Sequence, residues 1–154
     1  MYTRGYDKDH SLLVKLWSGT SNSAADFDRA TEDLLALDRD GRAQLDGVVI
    51  IAEVDPENSA PNTMERKRIA DAVNAATQAT KVYFLMVTSS ALARGVITAI
   101  GWFTPSDARH VNSTHATFDE AVSRAEAYRP GISGRLYELR RIARDEALER
   151  ARPK

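Results

Sequence analysis

The sequence predicts an α/β fold, and three observations predict it. Short apolar runs rich in β-branched and aromatic residues recur along the chain. Segments of helical period fill the gaps between them. At 154 residues the chain fits one domain of ordinary size, large enough to bury a real core. Strands separated by helix-length gaps favour a parallel sheet covered by helices.

The clearest strands are Val48-Val49-Ile50-Ile51-Ala52 and Tyr83-Phe84-Leu85-Met86-Val87. Both are unbroken by charge and bounded by turn residues, the mark of strands covered on both faces. Leu12 to Trp17 is apolar except for Lys15 and reads as a less buried strand. Arg109 to Asn112 is polar enough to be an edge. The first nine residues leave open whether they pair as a short further strand.

The helices follow in order. Ala24 to Leu37 places Phe27, Ala30, Leu34 and Leu37 on one face, with Gly41 as its stop. The second opens at Asn62, with Glu65 three residues later as a capping-box partner. Its inner face is Ile69, Ala72, Val73 and Ala76. The third begins near Ser90, carries Leu92, Val96, Ala99, Ile100 and Phe103, and ends at Pro105. The fourth starts at Thr117 with Glu120 as capping partner, buries Val122 and Ala125, and closes at Pro130-Gly131.

Ser133 to Arg152 reads as an additional helix with a short apolar face of Leu136, Leu139, Ile142 and Ala143. From Ile132 onward the chain has seven basic and four acidic residues. This divides it into an α/β domain over 1–131 and a charged helix or tail over 132–154. That helix either lies across the domain or docks as a basic arm on a partner or a second copy.

Composition excludes several function classes. With 21 basic and 22 acidic residues the net charge is −1, so nothing overall favours nucleic acid or membrane lipid. The absence of cysteine rules out disulfides, thiolate metal sites and a cysteine nucleophile. No apolar run approaches the roughly 18 residues of a membrane span, and the start of the chain lacks a signal-peptide core. A cytoplasmic globular protein without an integral membrane segment is expected.

Catalytic templates find little. There is no Gly-x-x-x-x-Gly-Lys phosphate loop, no Gly-x-Gly-x-x-Gly after the first strand and no Gly-x-Ser-x-Gly elbow. Ser18-Gly19-Thr20-Ser21-Asn22-Ser23 offers hydroxyls suited to a helix cap or an anion contact. His110 and His115 would point to opposite faces of a strand, and with His10 they make no metal set. No cofactor is implied. Ligands of open α/β sheets sit beyond the carboxyl ends of the strands. There the chain places Glu53 and Asp55, then Thr88, Ser89 and Ser90, with Arg94 one turn later. Asp55, Thr88, Ser89 and Arg94 are thus a candidate polar ligand site, or simply a salt bridge with helix caps. The third helix has Ile97 and Trp102 off its buried face beside Gly95 and Gly101. A helix apolar nearly all round is covered on more than one side, by the C-terminal helix or by another chain. Gly95, Ile97, Trp102, Leu136, Leu139 and Ile142 form the corresponding candidate interface.

The stretch from Ser89 to Phe103 reads Ser-Ser-Ala-Leu-Ala-Arg-Gly-Val-Ile-Thr-Ala-Ile-Gly-Trp-Phe. With the apolar strand before it, it resembles a segment of small bacterial SpoIIAA-like proteins, which are related to STAS domains. Thr117-Phe118-Asp119-Glu120-Ala121 resembles the start of that group's final helix. The resemblance implies a STAS-like sheet of about four to five strands with alternating helices, here with the extra C-terminal helix. It implies a regulatory or docking module without catalysis. The group's antagonists carry a phosphorylated serine in Asp-Ser-Ser/Thr-Gly. Here the matching place reads Asp55-Pro56-Glu57-Asn58-Ser59-Ala60-Pro61-Asn62-Thr63, which leaves Ser59 and Thr63 as acceptors beside unfavourable acidic neighbours.

Three functions compete on this reading. The first is a non-catalytic, self-associating interaction or regulatory module. The second is a carrier of a small apolar ligand or lipid, with a pocket near Phe84, Met86, Ile97 and Trp102. The third is an enzyme using Asp55, Ser89 and Arg94.

Overall fold

A computed structural model describes residues 1–41, 44–58, 62–75, 81–91 and 109–152. Five strands form one mixed sheet: β1 (Tyr2–Asp7), β2 (Leu12–Trp17), β3 (Val48–Val54), β4 (Val82–Val87) and β5 (His110–His115). They lie side by side in chain order. β1 and β2 are an antiparallel hairpin, while β2, β3, β4 and β5 run parallel. Four helices are described: α1 (Ala24–Asp40), α2 (Thr63–Ala75), α3 (Phe118–Tyr128) and α4 (Ser133–Ala151). The predicted third helix and most of its residues, 92–103, lie outside the described residues.

Alternation along the strands divides the core into two layers. Leu12, Val14, Val49, Ile51, Tyr83, Leu85 and Val87 face α3 and α4, meeting Phe118, Val122, Leu136 and Leu139. Leu13, Val48 and Ile50 face the other way and meet Leu34 and Leu37 of α1. β3 is buried throughout its first five positions, as its uninterrupted apolar sequence requires.

The caps explain where helices start. Ser23 accepts the Asp26 N–H at 3.2 Å and donates its own N–H to Asp26 at 2.9 Å, so the loop hydroxyl does serve as a helix cap. Asn62 and Glu65 form the reciprocal pair predicted for α2, at 3.0 and 2.7 Å. Glu126 reaches past the end of α3 to accept the N–H groups of Ile132 and Ser133 at 3.0 and 2.9 Å. The Ser133 hydroxyl and these N–H groups, with that of Gly131, hold the Glu126 carboxyl at about 2. One carboxylate thereby fixes the turn between α3 and α4.

One sequence expectation changes here, and one open point closes. β2 is not a less buried strand, because Lys15 itself is only 7% exposed. Its ammonium points under α1, 3.4 Å from the Ala30 carbonyl, so the strand stays buried on both faces. The first residues do form a strand, and polar side chains hold it. Asp33 bonds the Tyr2 hydroxyl at 2.8 Å and pairs with Arg4 at 2.7 Å, while Asp40 accepts the Tyr6 hydroxyl at 2.7 Å. Asp26 accepts the Tyr2 N–H at 2.9 Å. Asp26, Asp33 and Asp40 recur every seventh residue, two helical turns apart, so α1 presents them as one stripe to β1.

The C-terminal helix belongs to the same core as the rest of the chain. Leu136, Leu139 and Ala143 are fully buried against the sheet. The approach is so close that a Cβ on Gly5 of β1 would overlap the Leu139 backbone. As candidate interface residues, Leu136 and Leu139 are therefore corrected: their side chains point inward. Ile142 stays 40% exposed.

Candidate functional site

β3, β4 and β5 end in register, with Glu53 beside Val87 and Val87 beside His115. The turns that leave these carboxyl ends define a cleft, the place where open α/β sheets hold ligands. It encloses about 300 Å³ and is lined by Glu53 to Pro56, Val87 to Ser89, Ala116 to Asp119, and Arg140. Asp55, Thr88 and Ser89 of the predicted ligand site do meet here. Arg94 lies outside the described residues, as do Gly95, Ile97, Trp102 and Ser59.

Local backbone geometry places each group. The Asp55 N–H extends the ladder to the Trp17 carbonyl at 2.9 Å, and the Asn58 N–H closes a turn onto the Asp55 carbonyl at 3.0 Å. Asn58 then fastens the loop after β2 through the Gly19 carbonyl at 2.9 Å and the Asn22 side chain. Thr88 continues β4 by donating its N–H to the His115 carbonyl at 3.1 Å, and its hydroxyl accepts the Ser90 N–H at 3.2 Å. On the far wall Thr117 caps α3 by accepting the Glu120 N–H at 3.2 Å. Glu120 accepts the Ala116 N–H at 3.0 Å in return.

The carboxylates of the cleft are bonded within the chain. Glu53 lies on the α4 face of the sheet and accepts the Arg140 Nε at 2.7 Å and the Arg144 Nη2 at 3.1 Å. The Glu53 carboxylate pushes the Arg140 guanidinium above its ordinary value. Arg140 also lies over the Phe118 ring, 4.3 Å from its centre, so one arginine joins three elements. Asp55 accepts the Gly19 N–H at 3.2 Å. Asp119 accepts the Tyr137 hydroxyl at 2.8 Å, which raises that phenol above its usual range.

Sequence reasoning missed Arg140, Phe118 and Asp119 as lining residues. Part of the signal was present: Glu53 shares its strand face with Val49 and Ile51, the face that a C-terminal helix rich in arginine would cover. The other predicted groups stand apart. Thr63 opens α2, exposed, and accepts a bond from Arg66 at 3.1 Å. His115 meets Ser113 at 2.8 Å, and burial lowers its pKa. Among the described residues no group of three or more histidine, aspartate or glutamate side chains is placed to hold a metal ion. No described helix is long and apolar enough to cross a membrane. Comparison with protein-family models, curated proteins and solved structures returns no match.

Proposed function

We propose that the chain is a non-catalytic regulatory or protein-interaction module of STAS-like character that associates with itself. One observation carries the non-catalytic part. The carboxylates at the ligand-binding end of the sheet are each engaged by a neighbour of the same chain: Glu53 by Arg140 and Arg144, Asp55 by Gly19, and Asp119 by Tyr137. A general acid or base must instead be poised toward a substrate proton. Here the charges brace the strand ends and shape a firm polar surface. The sheet backed by helices agrees with the architecture that the resemblance implies. The self-association rests on sequence alone: the helical period expected from Ser90 to Phe103 would set Ile97 and Trp102 off its apolar face, beside Gly95 and Gly101.

Light scattering on the full chain and on Trp102→Ala tests this. The expected result is a dimer that shifts toward monomer in the variant, with the melting transition retained. A chain that is strictly monomeric, and whose variant matches it in mass and melting temperature, contradicts the proposal.

A further inference from the structure

β1 is the first strand of the sheet, so among the described residues one long side of it has no strand beside it. The Ser18 N–H donates to the Met1 carbonyl at 2.9 Å, which sets the phase of the β1–β2 ladder. Residues of an antiparallel pair alternate between bonding the partner strand and facing away from it. Thr3 and Gly5 therefore turn their backbone groups to β2, while Tyr2, Arg4 and Tyr6 turn theirs outward. An open row of this kind is a template for another strand.

Side chains from two helices fill the first half of that row. Asp26 of α1 accepts the Tyr2 N–H at 2.9 Å. From the last turns of α4, Arg150 donates to the Tyr2 carbonyl at 3.2 Å, and Glu146 accepts the Arg4 N–H at 3.4 Å. Glu146 is itself gripped from both sides, by Arg29 of α1 at 2.8 Å and by Arg150 at 2.9 Å. It thus joins the helix layer on one face of the sheet to the layer on the other, around the edge of β1. The exposed neighbours Asp145, Leu148 and Glu149 make no such contact, so the clasp is specific to one side of the helix.

We propose that Asp26, Glu146 and Arg150 are an edge lock. They occupy the positions a neighbouring strand would take on β1 and keep the sheet from extending into a second copy of this chain. Released, Tyr2 and Arg4 present two N–H groups and two carbonyls in the spacing that an antiparallel strand uses. The β1 edge of a second copy supplies the same spacing about a two-fold axis, which makes a closed pair. The lock is built from charge pairs partly open to water, so salt weakens it. This device is separate from the association assigned to the third helix, and its test reads a different surface.

Amide hydrogen exchange and solution mass on Glu146→Ala test the lock. Exchange at Arg4 is expected to rise about tenfold or more, the loss of one charge-assisted hydrogen bond, while Thr3 keeps its protection. The mass is expected to exceed that of the unaltered chain and to grow with concentration. Arg141→Ala, which breaks only the exposed Arg141–Asp145 pair, should leave both readings unchanged. A folded Glu146→Ala chain with unaltered Arg4 exchange overturns the proposal. Faster exchange without any gain in mass overturns it too, because the edge is then open and unused. If Glu146→Ala does not fold, the unaltered chain is compared at low and high salt. Arg4 must then exchange faster at high salt than at low while Thr3 does not, and an equal response at both sites refutes the lock.

Discussion

Gly5→Ala is expected to cost about 3 kcal/mol of stability or more, seen as a lowered denaturant midpoint. The single added carbon would meet the carbonyl oxygen, carbonyl carbon and Cα of Leu139. These are backbone atoms in the middle of α4, so no side chain can swing aside to make room. The helix has to lift from β1, and Leu136, Leu139 and Ala143 lose their packing as it does. Gly134, also in α4, provides the control. A Cβ there meets nothing within 4 Å, so Gly134→Ala should be neutral or mildly stabilising. Equal effects at the two glycines would mean that α4 does not sit where β1 puts it.

Lys15→Met is expected to do the opposite and stabilise the fold by about 2–3 kcal/mol at neutral pH. Lys15 is on a central strand, and burial lowers its ammonium from 10.5 to about 8, with Asp33 opposing the shift. The sign follows from proton counts. Between about 8 and 10.5 the unfolded chain holds this proton and the folded chain does not, so stability rises with pH across that window. Below about 8 the full cost of the buried charge is present. Above about 10 a contrary effect enters, because burial raises the phenols of Tyr2 and Tyr6, which stay protonated only in the folded state. Chemical denaturation should therefore show stability climbing from pH 8 toward 10 in the unaltered chain. In Lys15→Met that climb should vanish. A variant less stable than the parent at pH 7 would mean that the ammonium is worth more to Asp33 than it costs to bury.

How much of this was legible in the sequence depended on what each element buries. β3 and β4 were plain, because strands covered on both faces need unbroken apolar sequence, and Val48 to Ala52 and Tyr83 to Val87 supply it. α2 and α3 were located by caps, which are local hydrogen bonds and leave a local signature, and α1 by its apolar period and the glycine after it. β1 was not legible. Tyr2-Thr3-Arg4-Gly5-Tyr6-Asp7 owes its place to bonds with Asp26, Asp33 and Asp40 far along the chain. The seven-residue spacing of those aspartates is visible in the sequence, but only the strand opposite gives it meaning. Lys15 misled for the related reason that a charge usually marks an exposed position, and here tertiary packing overrode that preference. In the cleft, the strand ends at Asp55, Thr88 and Ser89 were foreseen from topology. Arg140 was not, because the sequence sets Glu53 on one strand face with Val49 and Ile51 but leaves open which arginine of the C-terminal helix will reach it.

α4 completes both the core and the cleft: it closes the sheet over Leu136 and Leu139, and it delivers Arg140 to Glu53. The most direct measurement is the thermal melt, followed by circular dichroism, of a chain ending at Gly131. Without α4 the apolar face formed by Leu12, Val14, Val49 and Ile51 loses a large share of its cover. Fully burying a leucine is worth about 1.5–3 kcal/mol, so losing Leu136, Leu139 and the strand face they cover removes much of the roughly 5–15 kcal/mol by which a domain is stable. The expected result is a chain with no cooperative transition. A sharp transition with a native-like spectrum would contradict the account and make α4 an appendage to a domain that stands without it.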